Sequence, residues 1–437
     1  MNNFDICFIG AGPATMFALL KLIQKDYKGE IAIVEKGKSI KTRLPNEVVS
    51  GAFGAGLFSD SKLSSALDVG GVIPGLSQYK LTKYEGEILE ILNRFNDGEP
   101  MCWDETTKFD TTPSDLSWNK HNTLHVGTDR GKLIYSKIED YITSHPNIHF
   151  FFETEVKDVF ELTGNSGYEV MLSKKPTYLV AKRLVLATGQ KNVLPSKIIN
   201  KFDLKSTPRA FQIGVRVEDQ MNSQYEKIIQ ANYDFKFVKE YEYENGVKVR
   251  VRTFCCNSGN AHTCAEVNSE GFTCFNGHAL KTPDPTNNTV NYGIMCEVEG
   301  LDKYNTKEEQ IKLMKDINKI PCWKMDNFPA IGIQPQPARP LLSGFEQLEG
   351  YYPDEVIKSM EDFVNELNKV VDLSKAHYLY PETKLSGNIP ELNYTTFETK
   401  QPHLYMIGDC AISRGIVKAS YTGWKFAKEF IKHGQNA

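Results

Sequence analysis

Gly10-Ala11-Gly12-Pro13-Ala14-Thr15 follows the apolar run Phe4-Asp5-Ile6-Cys7-Phe8-Ile9 and precedes apolar residues at helical spacing: Ala14, Phe17, Ala18, Leu20, Leu22 and Ile23. Glycines at such a strand-to-helix turn point to dinucleotide binding. Gly10 permits the tight turn, Gly12 lets backbone N–H groups approach a pyrophosphate, and the helix N-terminus offers about half a positive charge. Thr15 takes the third glycine position, where its branched side chain is expected to push helix and strand slightly apart. Glu35 ends a second apolar strand, Ile31-Ala32-Ile33-Val34. A carboxylate there is expected to accept both ribose hydroxyls of an adenosine and to repel a 2′-phosphate, which favours FAD or NAD over NADP.

Other residue types invite chemistry of their own. His125 and His278 are candidate acid/base groups, since an imidazole titrates near working pH. Arg216 and Arg252 fall on expected strands, where either holds a substrate carboxylate or an ordinary ion pair. Lys62 follows a glycine-rich stretch and is either a phosphate or substrate contact or a solvated lysine. Cys255, Cys256, His262 and Cys264 raise a metal site or a vicinal disulfide, but adjacent cysteines rarely ligate one ion and no Cys-x-x-Cys pair is present. Structural thiols and no metal are the expectation.

The elements that must position these groups follow from periodicity. The strand, helix and strand over residues 4–35 form a βαβ unit, which seeds a doubly wound sheet. Ser50 to Asp60 has neither strand nor helix period and reads as a binding loop. Gly131 to Ser144 is expected to be helical; Ile148 to Phe152, Tyr168 to Leu172 and Lys182 to Ala187 are expected strands. From about 205 the texture changes to alternating strands (Phe211 to Val217, Val247 to Phe254) and amphipathic helices near 307–317 and 353–371. The end of the chain returns to the opening pattern, with a strand at His403 to Ile407, then Gly408-Asp409, then a helix from about Gly415 to Lys432. The expected division is residues 1–204 and 376–437 in one domain of split sequence and 205–375 in a second, mixed domain.

With 437 residues, 41% hydrophobic and 24% charged, the composition is that of a globular chain of two or three domains. A net charge of −4 with no block of like charge argues against nucleic acid as a partner. Nine irregularly spaced cysteines, no basic leader and no apolar window of membrane-spanning length give the expectation of a cytoplasmic protein with reduced thiols and no membrane insertion.

The glycine fingerprint, the strand Leu184-Val185-Leu186-Ala187 with its Thr188-Gly189 turn, and the closing Gly408-Asp409 together resemble the FAD-binding pattern of the glutathione-reductase-like flavoproteins, in their hydroxylase-type branch. The resemblance implies that Asp409 binds the ribityl or pyrophosphate side of FAD and that Glu35 holds the far ribose. The helix starting at Gly415 and Ile416 then faces the flavin N1/O2 edge. Further strings are similar to a poorly characterised family of bacterial FAD-dependent dehydrogenases: Val34-Glu35-Lys36-Gly37 with Arg43, Gly54-Ala55-Gly56-Leu57-Phe58-Ser59-Asp60-Ser61-Lys62-Leu63, His125-Val126-Gly127-Thr128-Asp129, Ile213 to Glu218, and Thr253-Phe254-Cys255. On this resemblance Pro13, Ala14, Thr15, Lys36, Arg43, Gly54, Gly56, Phe58, Ser59, Lys62 and Val156 join the cofactor residues. Where that family often has Cys-x-Cys-Pro-Gly-Gly, this chain has Cys255-Cys256-Asn257-Ser258-Gly259-Asn260, so a substrate does not carry over.

The resemblance implies an α/β fold, a Rossmann-like FAD-binding domain plus a mixed α+β substrate or cap domain. It also implies FAD and an oxidoreductase but no particular reaction; the reading adopted is hydride transfer between a small organic substrate and flavin N5, with His125, Arg216 and His278, chosen by residue type, as catalytic candidates. A second glycine fingerprint is absent, which leaves NAD(P)H only a transient part as electron donor or acceptor. Two alternatives stand beside this reading, an FAD-dependent monooxygenase using NAD(P)H and O2 and a non-catalytic FAD-binding protein. The monooxygenase ranks lower because the one Asp-Gly pair, Asp97-Gly98, does not follow the middle strand.

Overall fold

A computed structural model describes residues 3–434 except 45–46, 48–49, 105, 191–192, 268–270, 283, 302, 305, 320–338, 386 and 413. The chain forms two compact units. The first comprises Met1–Cys102, Asp129–Thr207 and Asn388–Ala437, the second Trp103–Thr128 and Pro208–Gly387.

The first unit is an α/β Rossmann-like layer. Its five parallel strands lie in the order Ile148–Phe151, Ile31–Val34, Asn3–Ile9, Tyr178–Leu186, Leu404–Met406. An antiparallel pair, Tyr168–Leu172 and Val156–Glu161, extends from the first half of Tyr178–Leu186. Strands buried on both faces need continuous apolar runs, and Ile31 to Val34 and Leu184 to Leu186 are all buried. Register partners Ile9↔Val34, Ile9↔Leu186 and Leu186↔Met406 bring four strand ends level along one edge. The sheet grows in both directions from Asn3–Ile9, so the switch point where ligands bind in such sheets lies at that edge.

The helix Pro13–Gln24 is buried on nearly every side because the closing helix Ile416–Gly434 packs against it. Phe426 of the closing helix stands edge-on to Phe8 at 5.9 Å and packs on Tyr405 at 5.1 Å. Contact is closest at Gly423, where a Cβ would overlap the Ala14 carbonyl oxygen. The stretch expected as an irregular loop contains a short helix, Gly54–Ser59, entered through Phe53 and Gly54, both at positive φ (67° and 66°). Its small residues hide the helical period because only six residues are involved.

The second unit is built on an antiparallel sheet in the order Arg339–Pro340, His377–Lys384, Phe211–Gln220, Thr289–Glu299, Lys248–Ser258, Phe237–Glu242, Ser117–Trp118. A separate ribbon pairs Ala261–Val267 with Thr273–Ala279. The helix Asp354–Asn368 supplies Met360, Phe363 and Leu367 to the core beneath the sheet. Residues 103–128 cluster with this unit, not with the first, because Trp118 pairs with Phe237 and Asn119 N–H donates to the Lys236 carbonyl at 2.9 Å. Residues 376–387 do so because His377–Lys384 pairs with Phe211–Gln220.

Gly423→Ala tests the close packing of the two helices. Overpacking typically costs about 1–3 kcal/mol, against a helix-propensity gain of about 1 kcal/mol. A lowered urea midpoint is the expected outcome, and an unchanged one would show that the helices separate freely.

Candidate functional site

Four chain segments leave the level edge of the first unit's sheet, and each carries an expected residue. Gly10 has φ +100°, and a Cβ there would stand 2.5 Å from the Ala187 carbonyl oxygen. Its own N–H donates to the Val34 carbonyl at 2.8 Å, which fixes the turn to the second strand. Gly12 caps the helix without a side-chain acceptor, Pro13 occupies its first turn, and that turn holds no acidic residue. The first N–H groups of the helix thus have no capping side chain, as an anion site requires. Thr15 is fully buried, and its hydroxyl donates to the Gly10 carbonyl at 2.6 Å. It therefore braces the turn and faces no phosphate. Gly408, at φ +70°, lies so close that a Cβ would stand 3.0 Å from Ala14 Cβ, and its N–H donates to Thr422 Oγ1 at 2.8 Å. The opening glycine turn and the closing Gly408-Asp409 are thereby side by side.

Glu35 binds this region together. Its Oε2 accepts from Ala11 N–H at 2.8 Å, and its Oε1 accepts from Gly37 N–H at 2.8 Å and Gly51 N–H at 2.9 Å. A carboxylate offers about four lone-pair sites, so about one remains. That leaves room for one ribose hydroxyl where the sequence suggested two.

The segment after Glu35 folds back over the glycine turn. Arg43 is buried and donates to the carbonyls of Glu47, Ala52 and Gly54, so it clamps the loop from within. Phe53 N–H donates to the Ala11 carbonyl at 2.8 Å, and its ring stacks on Tyr135 at 4.9 Å. A Cβ on Gly54 would stand 3.1 Å from Pro13 Cδ, and one on Gly56 would stand 3.1 Å from Ile416 Cγ1. The side chains of Phe58 and Ser59 lie outside the described residues. Lys62 is neither solvated nor turned to an anion from outside, since it is buried beside Asp60 at 3.0 Å. Lys36 is half-exposed and pairs with Glu155 at 3.4 Å, and Val156 is buried in register with Leu172. The Thr188 hydroxyl donates to the Gly189 carbonyl at 3.4 Å. Gly189 and Gly415 have φ +69° and +86°, and a Cβ on either would enter open space. Asp409 is partly buried within the turn Gly408–Cys410, and Ile416 begins the closing helix.

Lys418, which the sequence analysis passed over, lies in the first turn of that helix. Its ammonium donates to the carbonyls of Leu67, at 2.6 Å, and Gly71, while Arg414 N–H donates to the Gly70 carbonyl at 2.6 Å. The two carbonyls favour the ammonium, and burial opposes it. Burial pushes Lys418 down to about 8, with Asp68 opposing.

The three catalytic candidates all belong to the second unit. His125 is buried, and its ring stacks on Tyr233 at 4.1 Å. Arg216 is fully buried beside Glu382 at 3.4 Å and donates to the Cys255 carbonyl at 2.9 Å and to Asn291 Oδ1. Burial opposes its charge, yet the Glu382 carboxylate, followed by the sulfurs of Cys255, Cys256 and Cys264, holds it above its ordinary range. A guanidinium so placed holds strands together and does not present itself to a substrate. Arg252 is bonded to Glu297 at 3.2 Å and Gln212 at 3.3 Å, an ordinary ion pair across the sheet. His278 meets Cys264, with Nε2 to Sγ at 2.9 Å. Among the described residues no group of three or more His, Cys, Asp or Glu is arranged to hold a metal, and the described cysteines form no disulfide.

No family model matches the sequence, and no curated protein matches it. Solved structures align with the chain at low identity. A flavoprotein/dehydrogenase from Cytophaga hutchinsonii is 12% identical with a TM-score of 0.45, covering 99% of this chain and 79% of that one. A glycine oxidase from Geobacillus kaustophilus is 13% identical with a TM-score of 0.42, covering 99% and 95%. PqsL from P. aeruginosa, solved with 2-aminobenzoylacetate, is 11% identical with a TM-score of 0.39, covering 99% and 86%. The fold assignment rests on the strand order and register described above.

Two outcomes test this site. Glu35→Gln puts a donor amide among three backbone N–H groups, at a cost of about 1–3 kcal/mol for each donor left unsatisfied. A lower Tm without added cofactor is expected; an unchanged Tm would reduce Glu35 to a ligand contact. For Lys418, the unfolded chain keeps its proton up to the ordinary 10.5, while the folded chain releases it near 8. Stability therefore rises with pH across that window. The Tm of the native protein is expected to gain on that of Lys418→Met as pH rises through it, and a constant gap would contradict the assignment.

Proposed function

We propose that the chain is an FAD-dependent oxidoreductase of the glutathione-reductase-like flavoprotein kind, transferring a hydride between a small organic substrate and flavin N5. One observation carries the reading. Ile9, Val34, Leu186 and Met406 are level in register, so Gly10, Glu35, Thr188 and Gly408-Asp409 leave the sheet on the same edge. A long ligand with an anionic middle and a ribose at one end suits such an edge.

The residues fit that ligand. The uncapped start of Pro13–Gln24 offers N–H groups to a pyrophosphate, and Glu35 retains acceptor capacity for one adenosine ribose hydroxyl. Asp409 would accept from a ribityl or ribose hydroxyl beside Gly408. The closing helix, with exposed Gly415 before it, would direct its N-terminal dipole at the pyrimidine end of a flavin and stabilise negative charge there. FAD, when bound, supplies the two-electron acceptor that no side chain provides. Arg43 keeps the loop closed over the glycine turn, and Phe53 ties the loop to that turn through its N–H to the Ala11 carbonyl.

NAD(P)H would serve as a transient donor or acceptor, and the substrate would be a small molecule rather than a nucleic acid. Free thiols at the described cysteines support a reducing, cytoplasmic setting, and among the described residues no helix is long and apolar enough to cross a membrane.

The visible spectrum of the purified protein is the first test, with anaerobic reduction by NADH, NADPH and a metabolite mixture the second. A flavin spectrum bleached on reduction is expected, whereas a colourless protein that does not take up FAD would refute the reading. Asp409→Ala is expected to weaken FAD roughly tenfold to a hundredfold, the equivalent of one charge-assisted hydrogen bond. Undiminished retention would remove Asp409 from the site.

A further inference from the structure

The second unit holds a thiol and an imidazole in contact that no role described above uses. Cys264 and His278 lie on the two strands of the ribbon Ala261–Val267 and Thr273–Ala279. Cys264 is in register with Asn276, so His278 is its diagonal neighbour on the same face. Sγ and His278 Nε2 are 2.9 Å apart, and both side chains are partly exposed. Of the other described thiols, Cys7, Cys256, Cys274, Cys296 and Cys410 are buried, Cys255 is partly exposed and Cys102 exposed, and Cys256 Sγ donates to the Phe235 carbonyl at 3.0 Å.

Charged groups lie beneath the opposite face of the ribbon. Arg216 lies within electrostatic range of Cys264 and bonds Asn291 under the ribbon, where a Cβ on Gly277 would overlap both side chains. Glu382 offsets part of that charge at 3.4 Å. Cys255 and Cys256 share the same field, and His262 on the same strand as Cys264 is turned to Asn260 at 2.9 Å. A thiol held against an imidazole, as Cys264 is against His278, is a setting in which a thiolate forms near neutral pH.

We propose that Cys264 and His278 form a reactive thiolate–imidazolium pair, a modification site for hydroperoxides and other small soft electrophiles. With hydrogen peroxide, the Cys264 thiolate attacks one oxygen, an S–O bond forms and the O–O bond breaks. Sulfur is oxidised by two electrons to the sulfenic acid, and the departing hydroxide takes the His278 Nε2 proton and leaves as water. The pair belongs to the second unit and stands whatever cofactor the first unit holds.

Iodoacetamide, applied to the full-length protein over a range of pH and followed cysteine by cysteine with peptide mass spectrometry, tests the proposal. At about pH 6.5 an unperturbed thiol is only ~1% thiolate. Cys264 is expected to react at least about tenfold faster than exposed Cys102 there, and His278→Gln is expected to bring it down to the Cys102 rate. Dimedone after hydrogen peroxide is expected to mark Cys264 in the native protein. An inert Cys264, or one whose rate rises only near the ordinary thiol pKa of about 8.5, would overturn the proposal. So would an unchanged rate in a folded His278→Gln variant. Should that variant not fold, the pH profile of the native protein decides alone.

Discussion

A buried carboxylate surrounded by three backbone N–H groups is the constraint on which the first unit depends. Glu35 ties Ala11 of the glycine turn, Gly37 of its own exit and Gly51 of the returning loop to a single point. Hydrogen bonds to a charged acceptor are stronger than neutral ones, and a partner left bare inside the protein is costly. Once those three segments are fixed, Phe53 reaches Ala11, Gly54 meets Pro13, and Arg43 closes the loop on its carbonyls. The same bonds limit what Glu35 can offer a ligand. Its place at the end of the second strand makes it a ligand contact by pattern, while its partners make it first a fastener of the fold.

The two units treat buried charge differently. In the first, burial alone weakens the charge of Lys418, although Lys62 stays paired with Asp60. In the second, Arg216 pairs with Glu382 and Lys236 with Asp234 at 2.7 Å, and the His121 ring lies 3.3 Å from the same Asp234 carboxylate. Burial and the neighbouring Lys236 hold His121 below its ordinary range, despite the Asp234 carboxylate. Breaking one member of such a group leaves the other charge uncompensated, so these clusters resist partial loss and specify how the strands meet.

Much of the parallel sheet was legible because each strand is an apolar run followed by a turn residue with a physical reason to be there. Gly10 and Gly408 need positive φ and lack of a Cβ, and both needs leave a mark in the sequence. Contacts across long sequence separations leave none. Nothing near Arg216 announces Glu382, 166 residues away, so a substrate role stayed open beside the default of an ion pair. Gly423 looked like any glycine in a helix until Ala14 came against it. His278 and Cys264 are brought together by ribbon register, which hydrophobic periodicity does not specify in so polar a hairpin. Residues 103–128 were assigned by their place in the chain, whereas strand pairing at Trp118 decides where they pack.

The sheet of the first unit draws a strand from each end of the chain: Asn3–Ile9 early and Leu404–Met406 late, both flanking Tyr178–Leu186. During synthesis the ribosome must release the entire second unit before that last strand can dock. Until then the Leu184 to Leu186 edge lacks its final neighbour, the opening helix lacks Gly423 against Ala14, and Phe8 lacks Phe426. The nascent protein is thus open to proteases, chaperones and misassembly until residues 404–434 have been made.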